Sequence, residues 1–178
     1  MSNKEAYSKL IFFGQNPTTQ AYKRAFNSLV NLRSAHLRED GAPESLVEQT
    51  QANLTLANAT FRKAFVMAED VGTGIYVGYG FLDNPHDPGE TIVFSHAYVQ
   101  PPHRGKGVFS TIVAGIEQAA VELDYGRIIG STRNPHLAQA MQRRGYDIEN
   151  RHLDGSIDLV RHLPTAWYRP VSLHRIRF

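Results

Sequence analysis

The sequence predicts a single α+β domain, on three observations. Hydrophobic periodicity switches from helical to strand-like and back along the chain. A glycine-rich turn joins a strand-like run to a helical one, and no repeat, low-complexity tract or linker divides the 178 residues. At 42% hydrophobic content, a chain of this length holds one sizeable core and is short for two. The elements read in the order α-α-β-β-β-α-β-α-β-β.

From Thr18 to about Arg38, the residues Ala21, Ala25, Phe26, Leu29, Val30 and Leu32 recur mostly at three- and four-residue steps. This predicts an amphipathic helix with a threonine as N-cap. The segment EDGAP stops it, and Pro43 suits the first position of a second helix, whose Leu46, Val47, Leu54 and Leu56 run on towards Ala59. Three β-rich runs follow: KAFVMAE, GIYVGYGFL and TIVFSHAYV. VGTG makes a tight hairpin between the first two, and DNPHDPGE, with two prolines, forms a longer polar connection before the third.

From Gly107 the period is helical again: Val108, Ile112, Ile116, Ala119 and Leu123 share a stripe, with Glu117, Gln118 and Glu122 elsewhere around the helix. A short strand, RIIGST, leads to a helix in NPHLAQAMQRR, with Asn134 as cap, Pro135 at its first position and Gly145 at its end. The strands YDIENRHL and SIDLVRHL close the domain, joined through an Asp-Gly turn.

Bulk properties narrow the class. A net charge of +2 is too small to make nucleic acid or an anionic membrane the default partner. The absence of cysteine excludes disulfides, thiolate metal sites and cysteine nucleophiles, and fits a reducing, cytoplasmic setting. No apolar run approaches the roughly 20 residues of a membrane span, and MSNKEAYSKLIFFGQNP lacks the apolar core and cleavage site of a signal peptide. The histidines show no metal-ligand spacing, so no metal is expected.

The segment QPPHRGKGVFST is the turn from the strand ending near Val99 into the helix that starts near Gly107. A helix start leaves backbone N–H groups without intrahelical partners and carries the positive end of the helix dipole, so it accepts an anion. Gly105 and Gly107 place no side chain between those amides and a ligand, Arg104 and Lys106 add positive charge, and Ser110 and Thr111 offer hydroxyls. The chemistry points to phosphate; the bland alternative is a tight turn with solvated basic residues. The segment is not a P-loop, because Gln100 stands where the first glycine belongs and Gly107 where the serine or threonine does. It also lacks the glycine triad of a dinucleotide fingerprint.

With the helix it opens, this segment resembles the acetyl-coenzyme-A-binding motif of the GNAT superfamily of N-acetyltransferases: Arg or Gln, two residues, Gly, one residue, then Gly or Ala. Arg104 and Gly107 match, and Phe109 stands where Gly or Ala is usual. A second region, Asn134, a short helix and RRGY from Arg143 to Tyr146, is also similar, so the resemblance spans about Thr18 to Leu163. It implies a mixed sheet splayed between the family's fourth and fifth strands, here TIVFSHAYV and RIIGST. The pantetheine arm of acetyl-CoA would lie in that opening against backbone near Tyr98 and Val99. The pyrophosphate would meet Arg104, Gly105, Lys106, Gly107, Val108, Phe109 and Ser110, and Asn134 would face the thiol end. An amine, on a small molecule or a protein, would then attack the acetyl group directly in a ternary complex.

An alkyl amine with a pKa near roughly 10 arrives protonated and needs a base or a water path. The family often draws a carboxylate base from on or near the fourth strand, and its acid from a tyrosine four residues before the glycine of the second region. Here that position is Met141, which leaves Tyr146 or a water to substitute. Glu90 and His96 are the candidate bases, His96 by alternation on one face with Ile92, Phe94 and Tyr98. The alternative for His96 is a packed, hydrogen-bonded sheet residue, and for Glu90 a solvated charge. His103 and His136 flank the expected cleft.

Residues 164–178 form a basic aromatic extension to the 1–163 domain, carrying the only tryptophan together with Arg169, Arg175 and Arg177. It either docks on another subunit or an acidic partner, or folds back over its own sheet. Two functions stand: an N-acetyltransferase, or a GNAT-like domain of little or no activity that binds or assembles through its termini.

Overall fold

The computed structural model describes residues 6–13, 19–54, 64–83 and 91–164. Along the chain these form β1 (Tyr7–Phe13), α1 (Gln20–Glu39), α2 (Glu44–Asn53), β2 (Ala64–Asp70), β3 (Ile75–Asp83) and β4 (Thr91–Val99). A 3₁₀ turn (Pro101–His103) leads to α3 (Val108–Glu122), β5 (Arg127–Thr132), α4 (Pro135–Arg143), β6 (Asp147–Arg151) and β7 (Ile157–His162). The seven strands make one sheet in the order β1-β2-β3-β4-β5-β7-β6. Every pairing is antiparallel except β4 with β5.

The α+β class and the order from α1 to β7 agree with the sequence reading, and β1 is an addition to it. Tyr7–Phe13 pairs along its whole length with β2. Both of its faces are covered: Tyr7 and Ile11 pack on one side of the sheet, Leu10 and Phe12 on the other. A strand covered on both faces shows no polar-apolar alternation, which is why its periodicity is silent.

The helices start and stop as their end residues dictate. Thr19 caps α1, its hydroxyl oxygen accepting the Tyr22 N–H at 3.2 Å, and the chain leaves the helix through Gly41 at φ +75°. Pro43 is the N-cap of α2 rather than its first residue, and the helix spans Glu44–Asn53; Leu56 and Ala59, towards which the run was expected to continue, lie outside the described residues. Only Val47 of α2 is buried. Asn134 caps α4 with its side-chain oxygen, accepting from the N–H groups of His136 and Leu137 at 3.0 and 3.3 Å.

Two apolar cores lie on opposite faces of the sheet. Under α3 and α4, Val66, Ile92, Ile112, Ile116 and Ile128 are fully buried. Under α1, Phe26, Leu29, Phe65, Tyr79 and Phe81 fill the second core. Each large side chain so buried is worth about 1.5–3 kcal/mol in transfer free energy. α3 lies close on the sheet because Gly115 has no side chain: a Cβ there would stand 2.5 Å from Val66 Cγ1.

Candidate active site and cofactor cleft

The sheet opens in its middle. β4 pairs with β5 only from Thr91 to Val93, against Arg127–Ile129. β5 keeps its pairing with β7 through Thr132, and β4 keeps its pairing with β3 to Val99. Beyond Val93 the two parallel strands diverge, so among the described residues the outer edge of Phe94–Val99 has no strand partner and faces a cleft. An unpaired strand edge is a template for an extended ligand.

The divergence starts at a β-bulge. Gly80 opposes Ala97 and Leu82 opposes Phe94, so β4 carries one residue more than β3 across this step. The extra residue reverses the side-chain phase. Ile92 and Phe94 point into the core under α3, whereas Tyr98 joins the core under α1. His96 lies edge-on to Phe81 of that second core, 6.2 Å between ring centroids. Alternation had put His96 on one face with Ile92, Phe94 and Tyr98; the bulge separates it from Ile92 and Phe94. His96 is an exposed residue of β4. It lines a narrow cavity of about 60 Å³ at the inner end of the cleft, together with Phe94, Phe109, Leu137 and Met141.

A larger cavity of about 690 Å³ continues from there along β4 to the turn before α3. Ala97, Tyr98 and Val99 form one wall, Arg104, Gly105, Gly107, Val108, Phe109 and Ser110 the end, and Asn134 with Leu137 of α4 the opposite side. Nine of the ten cofactor residues expected from the sequence meet in this space. The tenth, Lys106, lines an adjoining groove that shares Gly107 and Ser110 with it. Gly105 and Gly107 have φ +71° and +89°, where a Cβ is strained, and a Cβ on either would meet nothing within 4 Å. The turn therefore presents bare backbone to open space.

Two site features escape sequence reasoning because they join distant segments. Glu39, at the end of α1, pairs with Arg104 Nη2 at 2.6 Å and accepts the Tyr98 hydroxyl at 3.1 Å. Arg104 also donates through Nε to the Val99 carbonyl at 2.9 Å and lies 5.7 Å from the centre of the Tyr98 ring. The Arg104 hydrogen bond holds the Glu39 carboxyl below the usual carboxylate range. Burial, reinforced by Glu39, raises the Tyr98 phenol. Behind them, His36 stacks on Tyr98 at 4.8 Å, and its Nδ1 is 2.9 Å from the Tyr79 hydroxyl. Burial lowers the His36 imidazole, although Asp40 beside it acts in the opposite sense.

The structure does not bring Tyr146 to the cleft. It is 2% exposed, in the core under α3 and α4, with the Arg161 guanidinium 5.8 Å from its ring centre. Burial pushes its phenol well above the ordinary range, and neither cavity described here includes it. Glu90 and residues 165–178 lie outside the described residues. His103 bonds to Tyr7 at 3.3 Å and borders the larger cavity, whereas His136 is exposed on α4. Among the described residues no helix is long and apolar enough to cross a membrane, and no cluster of three metal-ligating side chains occurs.

Comparison with known proteins identifies chains of the same fold. The family model described as Acetyltransferase (GNAT) family matches residues 26–146. No curated protein matches the sequence. Among solved structures, one from Desulfovibrio desulfuricans assigned to the GNAT family superposes with TM-score 0.64 at 14% identity, covering 88% of this chain and 99% of that one. An acyl-CoA N-acyltransferase from Pseudomonas aeruginosa gives 0.61 at 18%, over 87% and 99%. An aminoglycoside 6'-acetyltransferase type Ii gives 0.59 at 14%, over 86% and 96%.

Proposed function

Because the chain belongs to the acetyltransferase (GNAT) family, we propose that it transfers the acetyl group of acetyl-CoA to a primary amine by direct attack in a ternary complex. The observation that carries this reading is the splay: β4 loses its β5 partner after Val93, and the bare amides of the turn before α3 open onto the same cleft. The free edge of β4 binds the pantetheine arm as an added strand. The N–H groups from Gly105 to Ser110, with the positive end of α3, take the diphosphate. Phe109, at the position where the family motif has glycine or alanine, walls the inner cavity beside Met141.

The thioester supplies an activated acetyl group. His96 is the base that removes a proton from the incoming ammonium; it lines the inner cavity, and histidine is the residue type suited to proton abstraction around neutral pH. No cysteine is available to carry an acyl group, which suits transfer without a covalent enzyme intermediate. Protonation of the departing thiolate falls to water, because Met141 carries no proton and Tyr146 is enclosed.

Calorimetry with CoA and thiol release with a panel of amines test the reading. Binding with turnover is the expected result, and the absence of binding at millimolar CoA and low salt would refute it. Replacing His96 by alanine is expected to lower kcat about 10²-fold or more with little change in the KM for acetyl-CoA. Unchanged kcat would remove His96 from the role. A catalytically weak binding component is the second reading, favoured by one observation: Met141, at the usual acid position, is 3% exposed and apolar. Binding without turnover across the panel would select it.

A further inference from the structure

We propose that Glu117 is a positioning residue for the transfer: through Arg144 and Arg161 it fixes the C-terminal end of α4, and with it the α4 wall of the inner cavity. The inference rests on the reading above that the transfer takes place in that cavity. α4 has nine residues, of which Ala138 and Met141 are buried. Its Leu137 and Met141 line the inner cavity together with His96, and its cap Asn134 borders the larger cleft. Two apolar anchors leave the tilt of so short a helix weakly specified, and the polar contacts at its far end decide where it rests.

Those contacts form one knot. Arg144, the C-cap of α4, donates through Nη2 to Glu117 Oε2 of α3 at 2.8 Å. Arg161 of β7 brings Nε to 3.9 Å from Glu117 Oε1 and donates through Nη1 to the Arg144 carbonyl. A cation on the last carbonyls of a helix also suits its dipole. The guanidinium reaches that carbonyl across Gly145, where a Cβ would overlap it. One carboxylate on α3 therefore ties the end of α4 both to the neighbouring helix and to the sheet.

Stability alone does not account for the knot. Glu117 and both arginines are largely shielded from water. Glu117 Oε1, Arg144 Nε, Arg161 Nε and the Tyr146 hydroxyl are buried atoms that make no hydrogen bond among the described residues. Withdrawing charges from water with atoms left unpaired offsets much of their attraction, so apolar side chains of the same volume would hold the fold as well. A directional network adds what apolar packing lacks, a single placement of the Arg144 carbonyl that suits both guanidiniums. Without the Glu117 charge, the two guanidiniums face each other with no counter-charge and the end of α4 is released. A misplacement of about 1 Å far from the chemistry can cost as much as about 10²-fold in rate.

The test reads two quantities on the full chain. Hydrogen exchange of the coenzyme-free protein is expected to be about tenfold faster at the amides of residues 138–143 in Glu117→Gln, with β5 unchanged. Kinetics with acetyl-CoA should show kcat lower by about tenfold, while the Kd for CoA, read as held by β4 and the turn before α3, changes by about twofold at most. Arg144→Gln should do the same, and the double variant should lose no more than either alone, because both act through one contact. Gly155→Ala, strained at φ +82° in the β6–β7 hairpin, is the control: it should lower Tm and leave both quantities unchanged. Wild-type exchange in α4 overturns the proposal, as do faster exchange with unchanged kcat and additive losses in the double variant. A wild type that acetylates no amine in the panel refutes the reading of the cavity and the effect on kcat with it, while the exchange rates still decide whether Glu117 holds α4.

Discussion

Substituting Gly107 separates the conformational role of the turn from its role in binding. Its φ of +89° lies in the left-handed region, and a Cβ there meets nothing within 4 Å. Gly107→Ala therefore incurs no clash, only the backbone penalty of about 1–2 kcal/mol for an L-residue in that region. For a chain of this size each kcal/mol lowers Tm by about 2–4 °C, so the expected fall is about 2–8 °C. Gly107→Asn should fall less, because asparagine tolerates the conformation. Binding should behave differently. The added methyl group, or the larger amide, occupies the open space from which phosphate oxygens reach the amides. Loss of one hydrogen bond to a charged group, about 1.5–3 kcal/mol, predicts CoA binding weaker by roughly tenfold to a hundredfold in both variants. Gly155→Ala is the control: its φ is +82°, nothing stands within 4 Å of its Cβ, and it lies in the β6–β7 hairpin. It should melt earlier by a similar amount and bind CoA normally. If Gly107→Ala and Gly107→Asn bind CoA with the wild-type Kd, the ligand does not approach this turn and the reasoning fails.

Glu39→Gln should tighten CoA binding slightly, because Arg104 no longer has to leave a carboxylate and an exposed ion pair of this kind is weak; weaker binding measured by calorimetry would show that Glu39 positions Arg104 for the ligand instead. Gly115→Ala should destabilise the fold by about 1–3 kcal/mol through overpacking against Val66, and Val66→Ala in the same chain should restore part of the loss in denaturant melts; additive effects would contradict the contact. The His36 imidazole is harder to protonate folded than unfolded, so its contribution to stability is complete above a pH of about 6.5 and is lost as pH falls towards the lower folded-state value. Arg33, Tyr79 and Tyr98 face it, with Glu39, Asp40 and Arg104 as the nearby charges. The Tm of His36→Gln should therefore fall less steeply than that of the wild type as pH is lowered from about 7; identical slopes would remove His36 as a contributor.

What could be read from the sequence follows from where its signals are local. Asn134 followed by Pro135 announces α4 within two residues, and the stripe from Val108 to Ala119 announces α3, since one face of each is buried and the other is not. Gly105 and Gly107 mark the turn before α3 for a similar reason: the conformation they need is one few other residues adopt. β1 was silent because Ile11 and Phe12 enter different cores, which erases the alternation of a half-buried strand. The bulge at Ser95–His96 leaves composition untouched, so counting by twos carried His96 to the face of Ile92 and Phe94. The Glu39–Arg104 pair joins residues whose contact exists only once α1 crosses the sheet to the end of β4.

One surplus residue gives β4 two unlike halves. As far as Val93 its backbone is clamped on both flanks, and from Ala97 onward its side chains run in opposite phase with one flank bare. Excising a single residue at Ser95–His96 would swing Tyr98 towards α3, strip Glu39 of its phenol donor and let the ladder with β5 zip shut through the crevice. The product would lose the space in which the proposed coenzyme lies.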